Sequence, residues 1–352
     1  DYSMKPFTPD ELELVVSRAI ERERIALENR YLRDELNRRY DFSAMVGESE
    51  AMKRVHEQIQ KVADSRATIL IRGESGTGKE LVARAIHYSG VRRDRPFIKV
   101  NCAALSAGLL ESELFGHEKG SFTGAHDRKI GRFELADSGT LLLDEVSEIG
   151  IELQPKLLRA LQEREFERVG GSTSIKVDTR IICTTNRNLE EAVEKGELRE
   201  DLFFRLNVIP VVLPPLRERK EDLPALMDFF LKRYVQENNR AITGFAPETF
   251  ELFNEYDWPG NVRELQNTIE RAVVLSTSRV LGPEQFNFGP SRNGRSDGNT
   301  VSVRIGTTVA EMEKELIMRT LEKHVQNRTH AAEVLGISVR TLRNKLKEYQ
   351  GR

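Results

Sequence analysis

The chain has 352 residues, enough for two or three domains with cores of their own. Its 54 Lys and Arg nearly cancel its 56 Asp and Glu, leaving a net charge of −2, so the surface as a whole is no nucleic-acid binder and any such role must be local. Two cysteines, Cys102 and Cys183, exclude a disulfide framework and read as buried thiols in a reducing cytosol, and no apolar run approaches the ~18 residues of a membrane span.

The chain begins at Asp1, which reads as a piece of a longer protein. Thr8-Pro9-Asp10 is a helix start, followed by Leu12, Val15, Val16, Ala19 and Ile20 at helical spacing. Ile25, Asn29, Leu32 and Leu36 then repeat every four, three and four residues. That is the pattern of two coiled-coil heptads with Asn29 at one seam position, and equally that of a solvated linker helix. Residues 1–40 therefore form a helical segment distinct from the rest of the chain.

Residues 41–213 alternate apolar strands with amphipathic helices. The strands are expected at Thr68–Ile71, Phe97–Asn101, Thr140–Leu143, Thr179–Thr184 and Val208–Val212, the pattern of a parallel α/β sheet. After the first strand come Gly73-Glu74-Ser75-Gly76-Thr77-Gly78-Lys79-Glu80 and a helical pattern through Leu81, Ala85 and Ile86. Strand, glycine loop and helix is the context of a phosphate-binding loop. Its backbone N–H groups turn toward phosphates and Lys79 reaches the outer ones. Glu80 stands where a Ser or Thr ordinarily helps to hold Mg²⁺. The strand at Thr140 runs into Asp144 and Glu145, which suit a Mg²⁺ ligand and a residue that polarises the water attacking the γ-phosphate of ATP. Arg199 and Arg205 flank a short amphipathic segment and suit transition-state stabilisation, or plain surface charge. Asn186 suits orientation of a water or phosphate, or a turn cap.

Between these motifs lies Glu111–Ala125. Gly120 and Gly124 bracket Phe122 and Thr123, so the segment reads as a mobile loop displaying Phe122, or as a connector with Phe122 in the core. Residues 214–286 show only helical periodicity, through Leu223, Leu226, Phe229, Phe230, Phe250, Phe253, Leu265, Ile269 and Val273. Residues 287–306 are polar and glycine-rich, a linker. In residues 307–352, Ala331, Ala332, Val334 and Leu335 mark one helix face. Gly336-Ile337-Ser338 interrupts it, and Val339, Leu342 and Leu346 begin another. This is a helix-turn-helix pattern, or a helical hairpin with a basic face. Arg340, Thr341, Arg343, Asn344 and Lys347 on its second helix suit base edges and phosphates of double-stranded DNA.

With these residues in view, the chain resembles the bacterial enhancer-binding proteins, the AAA+ activators of sigma-54 RNA polymerase, in their nitrogen-regulator-like response-regulator branch. Gly73–Glu80 matches that family's Walker A, including the Glu after the lysine. Gly120-Ser121-Phe122-Thr123-Gly124-Ala125 matches its signature loop, with Ser121 for the usual Ala. The resemblance implies a parallel-sheet AAA+ core with a helical lid, followed by an all-α, Fis-type helix-turn-helix. It implies that Asn101 pairs with Glu145 as a switch, that Thr185 and Asn186 form sensor I, and that Arg263 in Trp258–Leu265 is sensor II. It makes Arg199 and Arg205 arginine fingers that reach a neighbouring subunit. It implies ATP and Mg²⁺ as cofactors, sigma-54 polymerase contacted by residues 120–125, upstream DNA, and a homo-oligomer that passes from dimer to hexameric ring. Residues 1–20 look like the tail of a receiver domain, with Lys5 at that fold's lysine position, as in two-component systems. The rival readings are a DNA-binding regulator with ATP as an allosteric ligand, and a chaperone-type motor.

Overall fold

A computed structural model describes residues 46–122, 124–286, 288, 308–323 and 328–350. The expected helix and receiver remnant of residues 1–40, nearly all of the linker, and Thr123 lie outside these residues. The chain divides into two compact units between residues 287 and 288.

The first unit is built on five parallel strands: β1 (Ile69–Arg72), β2 (Phe97–Asn101), β3 (Thr140–Asp144), β4 (Arg180–Thr185) and β5 (Ile209–Val212), in the order β2-β3-β4-β1-β5. Successive side chains leave a strand on opposite faces. Leu141, Leu143, Ile181 and Cys183 accordingly enter one apolar cluster, and Ile69, Ile71, Leu142 and Ile182 the other. A sheet covered on both faces needs apolar residues at consecutive positions, which is why its strands read as unbroken runs. Strands β1, β3 and β4 end one residue later than their apolar runs predict. The ladder is a backbone structure, so Arg72 still pairs with Thr185 and Val212, and Asp144 with Asn101.

Helices α1 (Glu50–Val62) and α2 (Lys79–Tyr88) pack on the Ile69 face through Val55, Ile59, Val82 and Ile86. Helix α3 (Ala107–Phe115) packs on the other through Leu110, Leu114 and Phe115. The loop expected from Glu111 therefore begins only after Phe115. The first third of that stretch is helix, because Leu114 and Phe115 join Leu110 in the core.

Residues 214–286 are mainly helical, with α4 (Leu223–Glu237), α5 (Pro247–Glu255) and α6 (Asn261–Leu275) around Leu226, Phe230, Phe253, Trp258, Leu265 and Ile269. Helical periodicity missed one feature here, a short parallel pairing of Gly244–Phe245 with Val280–Leu281.

The second unit contains α7 (Val309–Lys323), α8 (Arg328–Val334) and α9 (Val339–Gln350). Ile317, Leu321, Ala331, Ala332 and Leu342 form its core, with Leu335, Val339 and Leu346 against it. Val334, expected on that inner face, is instead 57% exposed. Gly336 ends α8 with φ +64°, and the Ile337 N–H closes the turn on Ala332 O at 3.0 Å. Ser338 caps α9 by accepting the Thr341 N–H at 3.0 Å.

Candidate active site

The loop Gly73–Gly78 joins β1 to α2, and Lys79 is the first residue of the helix. Lys79 is buried, and its Nζ donates to Gly73 O at 2.9 Å and Glu74 O at 3.3 Å. The same ammonium lies 3.3 Å from Glu145 Oε1. A buried ammonium held mainly by backbone carbonyls is poised to exchange them for phosphate oxygens.

Asp144 and Glu145 sit where β3 ends. Thr184, on the adjacent strand, serves both: its Oγ1 donates to Asp144 Oδ1 at 2.6 Å and accepts the Glu145 N–H at 3.0 Å. Glu145 is held left-handed, with φ 56° and ψ 56°. A non-glycine residue there costs ~1–3 kcal/mol, and such strain collects at functional sites. Glu145 Oε2 accepts the Asn186 N–H at 3.0 Å. Asn186 thus reaches the site through its backbone, and Thr185 Oγ1 bonds Ser147 Oγ at 3.0 Å. Asn101 behaves differently from the expectation. Its Oδ1 accepts the Ala103 N–H at 3.0 Å, two residues on, in a local turn. The expected Asn101–Glu145 pair is not formed; the Glu145 oxygens meet Lys79 and Asn186 instead.

Glu80 is held by two basic side chains. It accepts hydrogen bonds from Arg84 at 2.9 Å and from Lys99 Nζ at 2.7 Å. Lys99 Nζ also lies 3.0 Å from Asp144 Oδ2. Burial works against the Glu80 carboxylate ion, but Lys99 and Arg84 outweigh it and hold its pKa below the usual range. Burial likewise opposes the Lys99 ammonium, and Glu80 and Asp144 overcome it, raising its pKa.

The lid segment reaches the loop directly. Arg263 Nη1 donates to Ser75 Oγ at 3.2 Å, and the Arg263 N–H to Gly76 O at 3.3 Å. Arg217 grips the Glu74 carboxylate with two hydrogen bonds, at 2.8 and 2.6 Å, and Asn261 Nδ2 adds a third at 3.1 Å. The Arg217 hydrogen bonds are the main cause of a lowered Glu74 pKa. Gly76, at φ +80°, passes so close to the lid that a Cβ there would stand 2.2 Å from Gly260 O. Arg199 and Arg205 do not join this site. Arg199 pairs with Asp201 at 2.7 Å, and Arg205 donates to Leu161 O at 2.6 Å. Arg205 lines a small cavity with Thr68 and Thr179, at the opposite ends of the strands from Asp144.

Sequence reasoning missed Thr184, Lys99, Glu74's lid partners Arg217 and Asn261, and the closeness of Gly76 to the lid. Lys99 carries a legible signal. It is a charged residue inside the apolar run Phe97–Val100, two positions before Asn101, which it shares a face with.

The loop at 120–125 is the tip of a hairpin whose base pairs Gly116–His117 with Lys129–Ile130. Gly120 donates to Ala125 O at 2.8 Å and Ala125 to Phe122 O at 3.0 Å. Phe122 is 42% exposed, with its ring edge-on to His117 at 5.0 Å, so it is neither buried in the core nor fully displayed. Ala125 is buried, whereas Phe122 and Gly124 are exposed. Ser121 packs under Gly170, and its Oγ has no hydrogen-bond partner. Arg168 ties the hairpin to the core, bonding Glu118 at 2.8 Å and pairing with Glu134. In the second unit, Arg340, Thr341, Arg343, Asn344 and Lys347 of α9 are at least partly exposed, whereas Lys345 is engaged with Glu313.

Comparison with known proteins agrees with this geometry. Residues 45–212 match the sigma-54 interaction domain, residues 217–301 an AAA+ ATPase lid domain, and residues 308–349 the Fis family of bacterial regulatory proteins. The chain is 49% identical over 354 residues to the regulatory protein AtoC of Escherichia coli, covering 99% of this chain and 77% of that one. It is 51% identical over 326 residues to the transcriptional regulatory protein FlbD of Caulobacter vibrioides, covering 88% and 71%. The crystal structure of NtrX from Brucella abortus in complex with ADP superimposes with a TM-score of 0.67 at 36% identity, covering 99% of this chain and 78% of that one. The same protein in complex with ATP superimposes equally well.

Proposed function

Because the chain belongs to the family of sigma-54-dependent transcriptional activators, with an AAA+ ATPase domain and a Fis-type DNA-binding domain, we propose that it spends ATP on opening promoters. In this reading α9 binds an upstream double-stranded DNA site through Arg340, Thr341, Arg343, Asn344 and Lys347. The AAA+ domains assemble from dimers into a hexameric ring. The loop at 120–125 then engages sigma-54 RNA polymerase and remodels its closed complex. The chain is the output part of a two-component system, working in the cytoplasm.

The chemistry follows from the cradle. Backbone N–H groups of Gly73–Gly78 and the Lys79 ammonium bind the phosphates, and Arg263 senses the nucleotide from the lid. Glu145 aligns and polarises the attacking water, with its backbone fixed by Thr184 and one oxygen turned toward Lys79. Among the described residues, no cluster of three or more His, Cys, Asp or Glu forms a ready-made metal cage. That suits magnesium, which takes one or two carboxylates and completes its shell with phosphates and water. Asp144, with Oδ1 already oriented by Thr184, would hold the ion, which supplies neutralisation of phosphate charge. Arg199 and Arg205 serve a neighbour's site, since their own positions keep them from the cradle of their own chain.

The observation that carries this reading is Glu145: strained, fixed through Thr184 and Asn186, and 3.3 Å from the phosphate-binding lysine. Thr123→Ala tests it. ATPase activity and DNA binding should persist while sigma-54-dependent transcription is lost. If ATP turnover is lost as well, the loop is structural and not the polymerase contact.

A further inference from the structure

Strand β2 alternates its faces. Ile98 and Val100 pack on one side of the sheet and Phe97 on the other, with α2. Lys99 shares the Phe97 side, and its ammonium emerges between the first turn of α2 and the end of β3. There it holds Glu80 Oε2 at 2.7 Å and Asp144 Oδ2 at 3.0 Å. One lysine therefore bridges two carboxylates that would otherwise repel each other. The arrangement also divides the Asp144 oxygens. Oδ1 is taken by Thr184, so Oδ2, the oxygen facing Lys99, is the one left for a metal.

We propose that Lys99 is a positioning residue of the nucleotide site, a tethered counter-cation that holds Asp144 and Glu80 together and yields Asp144 Oδ2 to the divalent ion arriving with ATP. This rests on the reading of Asp144 as the metal-holding carboxylate. It also gives Glu80 a use. In place of a metal-binding hydroxyl, the first turn of α2 carries the second anchor of the ammonium, to which Lys99 can swing when Asp144 takes the ion. Each carboxylate then has a cation beside it before and after the metal binds, and metal-free nucleotide is not repelled by two bare carboxylates.

The test compares the affinity for a fluorescent ATP analogue in excess Mg²⁺ and in EDTA, with thermal melting as a check on folding. In Lys99→Met the stem remains and the charge is lost. Metal-free binding should weaken far more than Mg²⁺-dependent binding, raising the ratio of the two dissociation constants about tenfold, as one missing charge within hydrogen-bonding reach predicts. Lys99→Arg should restore the ratio. Glu80→Gln, which removes one carboxylate and leaves Lys99 in place, should lower it, and this variant decides the matter if Lys99→Met does not fold. A merely structural lysine would weaken both affinities alike, and a ratio left at its wild-type value by these variants overturns the proposal. If the wild-type chain binds the analogue under neither condition, it is the ATP-site reading that falls.

Discussion

Thr184 Oγ1 donates to Asp144 Oδ1 at 2.6 Å, and the same oxygen accepts the N–H of Glu145. One hydroxyl thus orients the carboxylate proposed for the metal and the backbone of the residue proposed for the water. Thr184→Val keeps the shape and removes both hydrogen bonds, leaving a donor and an acceptor unsatisfied in a partly buried place. Stability should fall by ~1–3 kcal/mol. Single-turnover ATP hydrolysis should slow at least about tenfold, the equivalent of ~1.4 kcal/mol in the barrier. Thr184→Ser should hydrolyse nearly normally. Wild-type rates from the valine variant would show that the hydroxyl orients nothing that matters.

Gly76 marks the seam between the phosphate loop and the lid. A side chain there meets two obstacles, a left-handed φ of +80° and the Gly260 carbonyl 2.2 Å from the new Cβ. The backbone conformation alone costs ~1–3 kcal/mol in a non-glycine residue, and the overlap must also push α6 away from the loop. Gly76→Ala should therefore lower the melting temperature and weaken ATP-analogue binding by an order of magnitude or more, because Arg263 reaches the loop across this seam. Calorimetry and analogue titration check both. Unchanged affinity would mean that the lid contact is dispensable for binding.

His87 is fully buried, with Nδ1 2.9 Å from Thr140 Oγ1. Burial first, and then the charge of Arg180, lowers its pKa from 6.5 to about 4. The folded chain therefore keeps the ring neutral, while the unfolded chain takes up a proton as the pH falls below about 6.5. This contribution to stability is complete above that pH and is lost as the pH falls toward about 4. Between pH 7 and pH 5 the loss amounts to ~2 kcal/mol. His87→Gln removes the titration and can still bond Thr140. Urea unfolding at the two pH values should show the wild type losing that much more than the variant, and equal losses would contradict the assignment.

The phosphate loop, the acidic strand, the glycine-bracketed turn at 120–125 and the second helix of the helix-turn-helix were legible in the sequence because each is a contiguous motif. Glycine spacing, an apolar run and a helical period are local patterns, and local backbone preference carries them. The parallel sheet was legible for a related reason: strands buried on both faces must be apolar throughout, and that marks them wherever they pair. Only the tertiary structure decided which side chains complete the site. Thr184 reaches Asp144 across 40 positions, Lys99 reaches Glu80 across 19, and Arg217 reaches Glu74 across 143. No periodicity encodes such partners. The hydrogen-bond register of β3 against β4 sets the first, the alternation of β2 against α2 the second, and the docking of the lid the third. The structure also puts Asn101 in a local turn and Glu145 beside Lys79, where resemblance alone had paired the two. A motif places a functional group on the chain, but its partners are chosen by strand register and packing, which come into being only when distant segments meet.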